Sequence, residues 1–139
     1  MKDVERFLGK SFSDPEVQGW LAGFREADQV GDSGQAHVHH TFKQAGVTLM
    51  VDRNSGKVFC FVFYGPQEPS SDYGTYSSEL PLGLLATMSA DEATAVLDPT
   101  GPRLFDDARE KGWETSLGCR VSIELGRDLR TIRSISFYL

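Results

Sequence analysis

Apolar positions recur at helical spacing in two stretches of this chain and alternate at strand spacing in six others. Val17, Trp20, Leu21 and Phe24 follow Ser13-Asp14-Pro15-Glu16, and Ala93, Val96 and Leu97 follow Ser89-Ala90-Asp91-Glu92. Each entry reads as a capping box, with Ser as N-cap and Glu three residues on. Pro15 fits the first turn, where its missing N–H costs nothing. The spacing predicts a helix over residues 14–27. It predicts a second from Ser89 that Pro99 and Gly101 stop soon after Leu97. Residues 1–8 form a short helix before these, ended by Gly9. Residues 31–34 read as a loop. The strand pattern covers 37–42, 47–51 and 58–64, joined by short loops at 43–46 and 52–57. It returns at 113–115, 119–125 and 131–138. Residues 102–111 are polar and read as a further helical turn.

The two series match each other. Ser13 and Ser89, Glu16 and Glu92, Trp20 and Val96, and Leu21 and Leu97 pair at one offset of 76 positions. Val58-Phe-Cys-Phe-Val-Phe-Tyr64 aligns with Ile132-Arg-Ser-Ile-Ser-Phe-Tyr138 at an offset of 74. The expected fold is therefore α+β, with two tandem helix-plus-antiparallel-meander repeats and the helices packed on one face of the sheet. Residues 1–66 form the first repeat, 67–80 a linker and 81–139 the second, in one compact unit.

Composition narrows the setting. The net charge of −6 is shared by both halves and speaks against direct binding of nucleic acid, which needs clustered Lys and Arg. Cys60 and Cys119 each lie in an apolar strand-like run and are expected to be buried, reduced thiols. The first residues hold no apolar signal core, and no run reaches the ~20 apolar residues of a membrane span. A cytoplasmic protein without a membrane segment is expected.

Candidate chemistry is sparse. His37 and His39 share a strand face, but no spacing along the chain supplies a third metal ligand. Neither cysteine lies at a helix N-terminus, where a thiolate would be favoured. There is no Gly-x-Ser-x-Gly and no phosphate loop. No catalytic residue, metal site or cofactor is called for, and the chain is not expected to be an enzyme. The long unpatterned linker is more informative. It holds Glu68, Asp72, Tyr73, Tyr76 and Glu79, and exposed aromatics beside acids suit protein recognition.

The helix entry Leu82-Gly-Leu-Leu-Ala-Thr-Met-Ser-Ala-Asp-Glu92 resembles the repeats of β-lactamase inhibitor protein and of small outer-membrane-assembly lipoproteins. The tandem offset is similar to the inhibitor's. The stretch from Tyr76 to Leu84, with Leu80-Pro-Leu-Gly-Leu84, resembles small bacterial immunity proteins that neutralise secreted toxins. The chain departs from the lipoproteins in lacking a lipobox and from the inhibitor in lacking its disulfide pattern. The resemblance implies fold more than partner; the function expected with it is a non-enzymatic inhibitor or immunity protein that occludes the active site of a toxin domain, such as a basic nuclease, through acidic and aromatic surface residues. The alternative is a small-ligand or metal-binding protein using the His37/His39 strand and a concave sheet.

Overall fold

Helix α1 spans Pro15–Leu21 and helix α2 spans Ala90–Leu97 in the computed structural model, which describes residues 3–24, 29–32, 36–67 and 71–139. α2 starts as predicted. The Glu92 amide donates to Ser89 Oγ at 3.2 Å, and the Ser89 amide donates to Glu92 Oε1 at 3.3 Å. α1 corrects the prediction by one residue. Its N-cap is Asp14, whose Oδ1 accepts from the Glu16 amide at 2.9 Å, while Ser13 Oγ pairs with Ser11 Oγ. A carboxylate accepts more strongly than a hydroxyl, so Asp14 takes the capping position beside Pro15. α1 also ends early, with Ala22 as its C-cap; residues 25–27 of the predicted helix lie outside the described residues. The leading helix is a single 3-10 turn, Val4–Phe7, that buries Val4 and Phe7.

The strands are β1 (Gln29–Asp32), β2 (His37–Phe42), β3 (Val47–Asp52), β4 (Val58–Tyr64), β5 (Arg103–Asp106), β6 (Glu110–Glu114), β7 (Arg120–Leu125) and β8 (Ile132–Tyr138). β2 and β4 have the predicted bounds. β1 and β5 are corrections: a loop was expected at the first and a helical turn at the second. All pairings are antiparallel within one eight-stranded sheet of order β1-β2-β3-β4-β8-β7-β6-β5. The meander β1–β4 and the meander β5–β8 therefore meet at the β4–β8 seam, where Phe61 opposes Phe137 and Phe63 opposes Ile135.

Strand alternation places one residue set on the core face. Leu49, Phe61, Phe137, Val121 and Trp113 form one cross-strand row, and Val47, Phe63, Ile135 and Ile123 form the next. All nine are 0–1% exposed. Trp20 of α1 meets Phe61 at 5.4 Å between ring centroids, and Phe7 meets Trp20 at 5.8 Å. Ala93 and Leu97 of α2 belong to the same core, whereas Trp20, Phe24 and Val96 are only partly buried at its margin.

Polar contacts fasten β5. Asp98, just past α2, accepts Arg103 Nε and Nη2 at 2.9 Å each, and Trp113 Nε1 at 2.9 Å. Arg103 and Lys111 both bond Asp106. The Arg103 guanidinium, followed by the Trp113 indole, holds the Asp98 carboxyl down at about 2.

Candidate functional site

The alternate residues of the same strands form the outer face of the sheet, opposite the side that Trp20 and Phe7 touch. Their register gives three rows. The first runs His39, Met50, Cys60, Tyr138, Arg120, Glu114. The second runs Thr41, Thr48, Val62, Ser136, Ser122, Gly112, Phe105. The third runs Tyr64, Ser134, Glu124, Glu110. Tyr64, Tyr138, Met50 and Glu124 are half-buried, and Arg120, Glu114 and Glu110 are exposed. A chain of hydroxyls ties the first half together: Thr41 Oγ1 to Thr48 Oγ1 at 3.0 Å, and Thr48 Oγ1 to the Tyr64 hydroxyl at 3.1 Å.

The predicted linker residues divide against this face. Glu68 lies outside the described residues. Tyr73 packs at a tilt against Tyr64, with ring centroids 4.9 Å apart, and Lys43 Nζ lies 5.7 Å from its ring centroid. Asp72 is exposed and pairs with Lys43 at 3.1 Å. Glu79 is exposed. Tyr76 corrects the expectation of an exposed anchor. It is 4% exposed, and its ring packs on Phe63 at 4.6 Å, inside the core. A ring of that size gains more from leaving water than from standing in it.

Backbone contacts hold this segment as a strap over the β2–β3 turn. The Gly74 amide donates to Lys43 O at 2.7 Å, and the Tyr76 amide donates to Tyr64 O at 2.9 Å. The two backbones approach so closely that a Cβ at Gly74 would lie 2.1 Å from Gln44 O. Glycine is required there for space. The strap thus delivers Tyr73 and Asp72 to the end of the outer face that carries Tyr64, Glu124 and Glu110.

Electrostatics keep the face's nucleophile-type groups neutral. Burial pushes the Cys60 thiol up to about 12 and raises the Tyr138 phenol. Burial also raises Tyr64, against the Thr48 hydrogen bond, and the charges of Tyr73, Cys60 and Glu124 add to the rise. His40 points to the core face, stacks on Phe12 at 4.3 Å and is lowered by burial and then by His39. Among the described residues, no three His, Cys, Asp or Glu side chains group to hold a metal ion.

No protein-family model matches the chain, and no curated protein matches its sequence. Among solved structures the chain is similar to a cysteine-rich secretory protein (SAV1118) from Staphylococcus aureus, with a TM-score of 0.52 and 12% identity. The similarity covers 99% of this chain and 46% of that one, so the chain spans less than half of that protein's length. At this identity the likeness concerns fold alone.

Sequence reading missed Tyr64, Tyr138, Glu110 and Glu124 as surface candidates. Tyr64 and Tyr138 close the matched Phe-Tyr strands, and period-two alternation from Phe63 and Phe137 points both rings away from the core. The acids are brought together only by register, which the sequence does not display. No described helix is long and apolar enough to cross a membrane.

Proposed function

We propose that this chain is a non-enzymatic inhibitor, an immunity protein that neutralises a bacterial toxin domain in the cytoplasm by covering its active site. The observation that carries the reading is the rim Asp72, Tyr73, Tyr64, Ser134, Glu124, Glu110 along one end of the outer face. Aromatic rings on a rigid sheet suit hot-spot anchors, and flanking carboxylates suit steering of a basic partner. Glu110 stands directly opposite Glu124, a like-charge pairing offset in part by Arg133 Nη1, 3.7 Å from Glu124 Oε1, and a basic partner would add to that compensation. The net charge of −6 favours the same class of partner, such as a basic nuclease, over nucleic acid itself.

The finer architecture belongs to the same reading: tandem repeats over 1–66 and 81–139, joined by 67–80, with both helices on one face. Matching details support it. Ser11, just before α1, bridges Lys57 at the start of β4, and Ser89, before α2, bridges Thr131 at the start of β8. Asp52 Oδ1 accepts from the Asn54 and Ser55 amides in the turn before β4, and Asp128 Oδ1 accepts from Arg130 and Thr131 before β8. Asp52 and Asp128 are separated by the same 76 positions as the helix caps. The experiment is co-expression with the protein encoded beside this chain. The reading expects protection from growth arrest and a stable complex; the absence of both overturns it.

A further inference from the structure

Three neighbouring strands set residues that carry soft donors side by side on the outer face. His39 of β2 opposes Met50 of β3, and Met50 opposes Cys60 of β4. Directly opposed residues of an antiparallel pair carry Cβ atoms about 5 Å apart on the same side. An imidazole, a thioether and a thiol therefore form one row. The outer two stand roughly 10 Å apart at the backbone, two strand spacings. Met50 lies between them, and the long imidazole and thioether can lean toward the shorter Cys60. Spacing along the chain offers His37 and His39 with no third ligand. The sheet register supplies two from other strands. His37 itself is occupied differently, with its ring 4.6 Å from that of Phe59.

We infer that this row is a copper(I) site with His39, Met50 and Cys60 as ligands. The donor set selects the ion. Thiolate and thioether sulfur favour soft Cu(I), whereas Mg²⁺, Ca²⁺ and Mn²⁺ call for oxygen ligands, and these three residues offer none. Structural zinc takes four ligands drawn from Cys, His and carboxylates, and a thioether is not one of them. The surroundings suit a shielded monovalent ion: Cys60 is 8% exposed, beside Val62 at 8% and half-buried Tyr138. On binding, the Cys60 S–H bond breaks, an S–Cu bond forms and the proton passes to solvent. The copper stays in the +1 state, and no other reactant is required. The site stands independently of the inhibitor reading.

The test is anaerobic transfer of copper(I) to the purified chain from its bicinchoninate complex. Wild type is expected to take up one equivalent. Met50→Leu preserves volume and fold, and is expected to lose affinity by roughly tenfold or more. Cys60→Ser and His39→Ala are expected to lose the site. Cys119→Ser is expected to bind as wild type, because that thiol lies outside the row, before β7, with its backbone carbonyl bonded to Thr115. Thermal melts of the metal-free variants separate lost ligands from lost fold; if Cys60→Ser fails to fold, Met50→Leu still decides. Failure of wild type to take up copper, equal affinity in Met50→Leu, or uptake that depends on Cys119 overturns the assignment.

Discussion

Tyr73 and Tyr76 lie three residues apart in the same polar segment, yet one ring reaches the outer face and the other enters the core. Nothing in the local sequence separates them, because the segment has no period. The separation comes from Gly74, whose amide binds Lys43 O and whose missing Cβ lets the strap cross the β2–β3 turn. Tyr76→Ala should behave as a core truncation, costing about 3 kcal/mol or more in urea unfolding. Tyr73→Ala should cost well under half as much, since its ring rests on a half-buried surface. Equal losses would show that the strap does not divide them. Gly74→Ala should cost about 2 kcal/mol, the usual scale for forcing a methyl into filled space. A melt unchanged from wild type would mean that the strap yields freely.

Elements with a periodic or capping signal were legible, and elements held by distant charges were not. β4 and β8 announce themselves as apolar runs, and the Ser89 box states where α2 begins. At α1 the competition between Ser13 and Asp14 was decided by acceptor strength and by Pro15. Ser89→Ala should therefore cost about 1 kcal/mol, and Asp14→Ala a similar amount, while Ser13→Ala should change the melt little. β1 is four residues, Gln-Val-Gly-Asp, too short to show alternation. β5 is an edge strand with every residue exposed, fastened by Asp98, Arg103, Asp106 and Lys111 from three separate elements. Its shortness, bulge and charges are also what blunt an edge against pairing with other chains. The network gives a pH dependence of definite sign. The Asp98 carboxyl is held down at about 2, below the ~3.9 of an unfolded chain. The stability it adds is present above the unfolded value and fades as pH falls through about 2. Melting temperatures followed from pH 5 to pH 2, about the range between these two values, should fall less steeply in Asp98→Asn than in wild type. Parallel curves would remove Asp98 as a contributor to acid unfolding.

At the scale of the whole molecule, the fold class was readable because each half repeats a helix entry and a Phe-Tyr strand at nearly constant offset. The outer face was not readable, because it is a product of register: Tyr64, Ser134, Glu124 and Glu110 come from four strands, up to 70 positions apart in sequence (134 − 64), and only pairing sets them in a row. The proposed binding rim draws on this face and differs in membership from the linker set expected from sequence. Tyr76 drops out, and Tyr64, Glu124 and Glu110 join Tyr73 and Asp72. This revised rim makes distinct kinetic demands. Carboxylates at an interface edge act mainly on encounter, so Glu110→Gln with Glu124→Gln should slow association with the proposed toxin partner and flatten its salt dependence. The same double change removes a like-charge pair and also the exposed Glu124–Arg133 ion pair, so the melting temperature of the free protein should change little. Tyrosine anchors act mainly on escape, so Tyr73→Ala should speed dissociation with a loss of about 2 kcal/mol. Tyr64→Phe keeps the ring and deletes only the hydroxyl bonded to Thr48, and should bind nearly as wild type. Surface plasmon resonance across a salt series, with thermal melts of each free variant, reads all four effects. A double glutamate variant that folds and still associates at the wild-type rate would place the binding surface away from this end of the sheet.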